Sequence, residues 1–299
     1  MDNLFSIGLD KDQSDEEDSA VVEEEVLTIK YDTYHRLNEK QPTPLALALV
    51  SKHHSLWAEF IYNAARVLAD LIDGNSIDAI APIDVQNKKC LELGAGAGLP
   101  AIIAAINGAS EVVVSDYGHD FDLSLIYPLD INCQLDIITG TRCKAVGYTW
   151  GYPVQILLQP DKYYQSPSIS IDTTSYYNYK KTKLQARYSE EHLSRYSAEE
   201  VEADQNNESN KFDLIFAADL LFNRSEHRKL LWTIKHCLKK DTGVCYITFS
   251  HHDPAKAALD LNFFTLAVDP EYAFTVEKLG TQSRPSYPFR EQDGKDEIR

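Results

Sequence analysis

Residues suited to holding a charged, nucleotide-like ligand gather in one stretch of this 299-residue chain, Leu91-Glu92-Leu93-Gly94-Ala95-Gly96-Ala97-Gly98-Leu99-Pro100. Glycine takes positive φ at no steric cost and lets a ligand approach the backbone closely. Apolar residues lead into the turn, and a helical pattern over residues 101–106 follows it. Pro100 suits a first helical turn, where its missing N–H costs nothing. Strand, glycine turn and helix N-terminus are how an open parallel sheet presents backbone to a nucleotide. The dinucleotide pattern is broken, because Leu99 stands where its third glycine would fall. Glu92, just before Gly94, would repel a pyrophosphate but attract the ammonium group of an amino acid. That favours S-adenosylmethionine, which carries both an adenosine and an amino acid. Asp116 ends the next apolar run about 20 residues on, placed to accept hydrogen bonds from two ribose hydroxyls.

The elements that must position these groups alternate along the chain. An amphipathic helix is expected over residues 55–72, with Ser55 as N-cap and Trp57 in its first turn. An early strand or hairpin arm begins at 24–31, and a helix at about 119–133 follows Asp116. Further strands are expected at 142–148, 212–218, 244–249 and 274–279, with helices at 225–239 and 254–264. This alternation predicts an α/β fold. It is a Rossmann-like three-layer sandwich, with a mostly parallel twisted sheet of about seven strands and helices on both faces. Residues 159–211 break the rhythm. They are polar and rich in tyrosine, too long for an ordinary connection, and read as an insertion that is helical over about 189–201. Residues 1–25 read as a disordered acidic tail, and residues 26–299 as a single domain.

Composition narrows the function classes. A net charge of −17 argues against a nucleic-acid partner and suits a basic protein substrate. The five cysteines, Cys90, Cys133, Cys143, Cys237 and Cys245, form no C-x-x-C pair and read as reduced thiols. No signal peptide or membrane span is read, so the expected location is the cytoplasm. His251 and His252 are adjacent, so a strand would point them to opposite faces, and no metal site or catalytic histidine–carboxylate pair is expected.

Several phrases together resemble a family: Leu56-Trp57-Ala58, the glycine stretch, Asp116, Trp150-Gly151, Ala218-Asp219-Leu220-Leu221-Phe222, Ser250-His251-His252, Pro288-Phe289 and the tail from Asp293 to Arg299. They are similar to class I, seven-strand S-adenosylmethionine-dependent methyltransferases, in the nicotinamide N-methyltransferase-like group of lysine methyltransferases. The stretch Asp219 to Leu231 most resembles fungal enzymes that methylate the N-terminus and a lysine of translation elongation factor 1-alpha. The resemblance covers about residue 56 onward, excluding the insertion. The group's last strand has no counterpart before Arg299. The resemblance implies that Trp57, Gly94, Ala95, Gly96, Asp116, Trp150 and Ala218 contact the cofactor S-adenosylmethionine. It places Asp219 and Phe222 where the target amine enters. Asp219 would orient the amine, and Phe222, where the group often has tyrosine, would supply an aromatic wall. A monomer acting on a protein, translation elongation factor 1-alpha, is the implied arrangement. A small-molecule N-methyltransferase and an NAD-dependent oxidoreductase are the alternatives. Leu99 and Glu92 speak against the oxidoreductase.

Overall fold

Alternation within the strands sets the architecture. The computed structural model describes residues 29–37, 40, 42–51, 59–118, 124–163 and 196–282. Five strands form one parallel sheet: β3 (Lys89–Leu93), β4 (Glu111–Asp116), β5 (Arg142–Gly147), β6 (Leu214–Ala218) and β7 (Val244–Thr248). Their order is β5-β4-β3-β6-β7. In β4, Val112 and Val114 join a core shared with α1 (Asn63–Ile72), α2 (Leu99–Ile106) and α3 (Ile126–Cys133). Val113 faces the other way, into a second core with α4 (Gln155–Leu158), α7 (His227–Cys237) and α8 (Ala257–Ala267). A parallel sheet covered on both faces needs apolar residues at successive positions, and β3 and β4 supply them. The result is the expected Rossmann-like α/β fold. The sheet holds five of the roughly seven expected strands among the described residues.

Two more strands, β1 (Ile29–Tyr34) and β2 (Leu45–Val50), form a separate antiparallel pair. Asn132 in α3 ties this pair to the glycine turn. Its side chain exchanges two hydrogen bonds with the backbone of Ala48 and donates a third to the Ala97 carbonyl.

Several expected boundaries move. Residues 59–62 are not helical, and α1 begins at Asn63 after an extended Tyr62. The helical period runs through Ala64, Leu68 and Leu71, whereas Phe60 turns toward Lys30, whose Nζ sits 4.3 Å from the ring centre. Ser55 and Trp57 lie outside the described residues. No strand forms over 274–279. The Phe274 N–H bonds the Ala267 carbonyl, and no strand among the described residues takes up the rest. Strand-forming residues need a paired neighbour and a face to pack, and composition does not supply either. Both α7 and α8 open with a turn of 3₁₀-helix, Arg224–Glu226 and Pro254–Lys256.

Most of the expected insertion, residues 164–195, lies outside the described residues, as do the tail at 1–25 and the segment after 282. The flanks of the insertion are α5 (Pro160–Tyr163) and α6 (Ala198–Asn206). They clasp each other: Lys162 Nζ is 2.7 Å from Glu200 and 2.6 Å from Asp204, and Tyr163 Oη donates to Asp204 at 2.7 Å. Among the described residues, no helix is long and apolar enough to cross a membrane.

Candidate active site

The chain's direction across the sheet reverses at β3. From β3 it builds outward through β4 and β5, then returns to place β6 on the other flank. In open α/β sheets a ligand crevice opens at that point, beyond the carboxyl ends of the strands. Here a cleft occupies it, lined by the glycine turn on one side and by Ala218, Asp219 and Phe222 on the other.

The glycine turn is left-handed at each glycine, with φ of +59° at Gly94, +56° at Gly96 and +72° at Gly98. The three do different things. A Cβ on Gly94 would fall 2.6 Å from Leu220 Cδ2 and 3.2 Å from Trp150 Cζ2, so this glycine is packed from behind. A Cβ on Gly96 would meet nothing within 4 Å, so that stretch of backbone is open to a ligand. The Asp116 carboxylate, 8% exposed and lining the cleft, holds the turn in place. One oxygen accepts from the Gly96 N–H and the other from the Tyr117 N–H, each at 2.6 Å.

Glu92 does not face the cleft. It is 1% exposed, and its Oε2 accepts from the Ala101 N–H of α2 at 2.8 Å. Burial holds its carboxyl well above the usual range, against the pull of that hydrogen bond. Attraction of a ligand ammonium by Glu92 is therefore replaced by a structural role at the start of α2. Strand alternation is the reason: in β3, the residue two before the turn points under the helix that follows.

Asp219 sits at the mouth of β6 with φ +61°, an unusual conformation for a side chain other than glycine. The local structure enforces it. The Asp219 N–H donates to Thr248 O at 2.7 Å, and Oδ1 accepts from both the N–H and Oγ of Ser250 at 3.0 Å. Oδ2 lies 3.1 Å from His252 Nε2. His252 stacks on Phe222 with ring centres 4.8 Å apart, and Tyr62 approaches it at 6.4 Å. The Asp219 hydrogen bond raises the His252 pKa above 6.5, outweighing desolvation. Burial, helped by the charges of Glu59 and Asp219, keeps the Tyr62 phenol protonated well beyond its ordinary range. Its Oη has no hydrogen-bond partner among the described residues.

The expectation that no histidine–carboxylate pair serves this site is thus corrected. His252 and Asp219 form one inside the cleft. The two are far apart in sequence, so spacing alone could not reveal them. Tyr62 and Phe60 were missed for a related reason, since both looked like positions on a helix. His251 takes a different carboxylate, the fully buried Asp260, at 2.8 Å.

Of the other expected site residues, Gly94, Ala95, Gly96, Asp116, Ala218, Asp219 and Phe222 come together around the cleft. Trp150 lies against Gly94 and packs with the second core. Among the described residues, no group of three or more histidine, cysteine, aspartate or glutamate side chains could hold a metal ion.

Fold and cleft together define a Rossmann-like α/β protein with an open glycine turn at the switch point of its parallel sheet. No protein-family model matches the chain. Curated relatives do. The chain is 32% identical over 259 residues to the protein N-terminal and lysine N-methyltransferase efm7 of Schizosaccharomyces pombe, covering 86% of this chain and 80% of that protein. Its likeness to EFM7 of Candida albicans is 32% over 255 residues, covering 83% and 78%. For EFM7 of Debaryomyces hansenii it is 31% over 247 residues, covering 82% and 76%. The chain belongs to this family of protein N-terminal and lysine N-methyltransferases, and it is a methyltransferase that draws on a methyl donor.

Proposed function

We propose that this enzyme uses S-adenosylmethionine to methylate the N-terminal amine and a lysine of a protein, translation elongation factor 1-alpha. The observation that carries the reading is the pairing across one cleft of an open glycine turn and a buried, oriented acid. The first suits the donor and the second suits an amine. The residues present fit the donor. Gly96 leaves its backbone open, and Asp116 brings an acceptor to the position where ribose hydroxyls would lie. When bound, S-adenosylmethionine would supply an electrophilic methyl group on a sulfonium, whose departing sulfur is left as a neutral thioether.

The chain's own residues do the rest. Gly94, Ala95 and Gly96 cradle the donor, with Trp150 and Ala218 closing around it. Phe222 and Tyr62 give the amine an aromatic wall, which tolerates a cationic or methylated nitrogen. Asp219 sets the approach, and alignment with exclusion of water supplies much of the acceleration. The acidic surface attracts a basic protein, consistent with a cytoplasmic monomer that meets its substrate by diffusion.

The test is direct. Pure enzyme, labelled S-adenosylmethionine and host lysate should label one protein of the size of elongation factor 1-alpha, with the methyl on its N-terminal amine and on lysine by mass spectrometry. Label confined to the small-molecule fraction overturns the reading.

A further inference from the structure

We infer that Tyr62 determines which methylation states the amine site serves: its hydroxyl oxygen accepts a hydrogen bond from an unmethylated or monomethylated target amine and so aligns the nitrogen for methyl transfer. The inference rests on the proposed amine methylation and adds to it a group that tells one methylation state from another.

The polar groups around the cleft single out this oxygen. Asp116 accepts from the Gly96 and Tyr117 N–H groups. Asp219 Oδ1 accepts twice from Ser250, and Oδ2 meets His252. Tyr62 lines the same cleft, yet its Oη is buried with no hydrogen-bond partner among the described residues. No other described residue lining the cleft has a buried side-chain polar atom in that state. A buried hydroxyl left without a partner costs stability, and such groups are rare in folded proteins. A ligand that brings a donor removes the cost.

The surroundings of Tyr62 hold it in place and select the donor. Its backbone is extended just ahead of α1, and its carbonyl accepts from the Arg66 N–H at 3.1 Å. Its ring meets Phe60 edge-on, with centres 6.3 Å apart, and lies 6.4 Å from the ring of His252, which stacks on Phe222. The hydroxyl thus belongs to an aromatic wall. Burial, helped by the charges of Glu59 and Asp219, keeps the phenol protonated, so Tyr62 takes no proton from the amine. The same two carboxylates favour a cation or an N–H group here and disfavour an anion. The nucleophile is the neutral amine, formed when the ammonium gives its proton to solvent. Tyr62 contributes alignment, which acts on the transfer step itself.

Amine chemistry then supplies a distinction. A neutral primary or secondary amine can donate an N–H to Tyr62 while its lone pair faces the methyl group. A neutral tertiary amine has no N–H to donate. The hydroxyl therefore assists transfer to an unmethylated or monomethylated nitrogen and contributes nothing to transfer onto a dimethylated one.

The experiment compares wild type with Tyr62→Phe, which keeps the ring and removes only the oxygen. Single-turnover methyl transfer from labelled S-adenosylmethionine is followed on purified, unmethylated translation elongation factor 1-alpha. It is repeated on the same protein with its amines dimethylated by reductive alkylation. S-adenosylhomocysteine affinity and melting temperature are measured on the same preparations. Tyr62→Phe should bind S-adenosylhomocysteine as wild type does and melt at the same temperature or higher, because the oxygen it lacks had no partner to lose. It should nonetheless methylate the unmethylated protein at least about 10-fold more slowly, and match wild type on the dimethylated protein whatever that rate is. A wild-type rate on the unmethylated protein would overturn the role. So would the same fold loss on both substrates, a melting temperature lowered in step with the rate, or slow transfer with weakened S-adenosylhomocysteine binding, which would put the hydroxyl on the methyl donor instead. Wild type that binds no S-adenosylhomocysteine sinks the donor assignment, and wild type that binds it but labels no amine overturns both this role and the proposed function.

Discussion

At the scale of single residues, Gly94 and Gly96 look alike in sequence but should fail differently when given a side chain. Alanine at Gly96 meets no atom and pays only for left-handed backbone, about 1–2 kcal/mol. Its Cβ would project into the space where a donor is proposed to lie. Gly96→Ala should therefore lower the melting temperature by only a few degrees while weakening S-adenosylmethionine binding in calorimetry about 10-fold or more. Gly94→Ala adds overlap with Leu220 and Trp150, so its main effect should be on stability. Equal affinities in wild type and Gly96→Ala would remove this glycine from the donor site. Asp116→Ala should also cost roughly 10-fold in affinity, because a hydrogen bond to a charged group contributes about 1.5–3 kcal/mol. Unchanged calorimetric affinity would remove the ribose assignment. The glycines and Asp116 were legible in sequence because their roles depend on local backbone and short spacing. The His252–Asp219 pair was not, since its members stand 33 positions apart and meet only when β6 and β7 lie side by side.

At the scale of elements, the strands of the parallel sheet and the starts of α7 and α8 could be read from the chain, whereas the start of α1 could not. The expected strands at 142–148, 212–218 and 244–249 each appear within two residues of their bounds, and the one at the sheet's interior, Leu214–Ala218, is a short, mostly buried apolar run. The start of α1 was misplaced because Phe60 continues a helical spacing by chance while its backbone does not. The junction of β3 and α2 carries a prediction of its own. Burial keeps the Glu92 carboxyl protonated well above its ordinary value of 4.5, with Asp116 adding to the effect. The unfolded chain releases that proton near 4.5, while the folded chain holds it to higher pH. Folded protein thus carries the extra proton, and its stability falls as pH rises above about 4.5 until the folded carboxyl ionises. Glu92→Gln keeps an acceptor for the Ala101 N–H and titrates nothing. Its melting temperature should match wild type near pH 4.5 and exceed it increasingly toward neutral pH. A difference independent of pH would show that Glu92 does not titrate with folding.

At the scale of the whole molecule, the question is how a long polar segment sits on a compact α/β sheet. From sequence, residues 159–211 read as one removable insertion. The described flanks divide it. Tyr163 is fully buried, and its ring lies 4.9 Å from that of Tyr196 across the gap. The Tyr196 hydroxyl donates to the Lys162 carbonyl, and the Asn210 carbonyl accepts from Lys89 Nζ, which anchors the segment's end at the base of β3. Polar composition hid these contacts, because a clasp made of tyrosine, lysine and aspartate has no apolar period to read. Two excisions separate the anchored part from the rest. Removing 164–195 and joining the ends with a short linker keeps the clasp between α5 and α6, and closing a shorter loop adds little entropic cost. That variant should retain the wild-type melting temperature within a few degrees, along with its affinity for S-adenosylmethionine. Removing 159–211 deletes the buried Tyr163 and takes from Lys89 Nζ one of its two carbonyl partners, that of Asn210, leaving only that of Leu158. Loss of a fully buried large aromatic residue typically costs about 3–5 kcal/mol, a large fraction of a domain's net stability. The longer excision should then melt well below wild type or fail to fold. If the two excisions behave alike in thermal melts, the clasp does not contribute to the fold, and the boundary drawn at Tyr163 and Tyr196 is wrong.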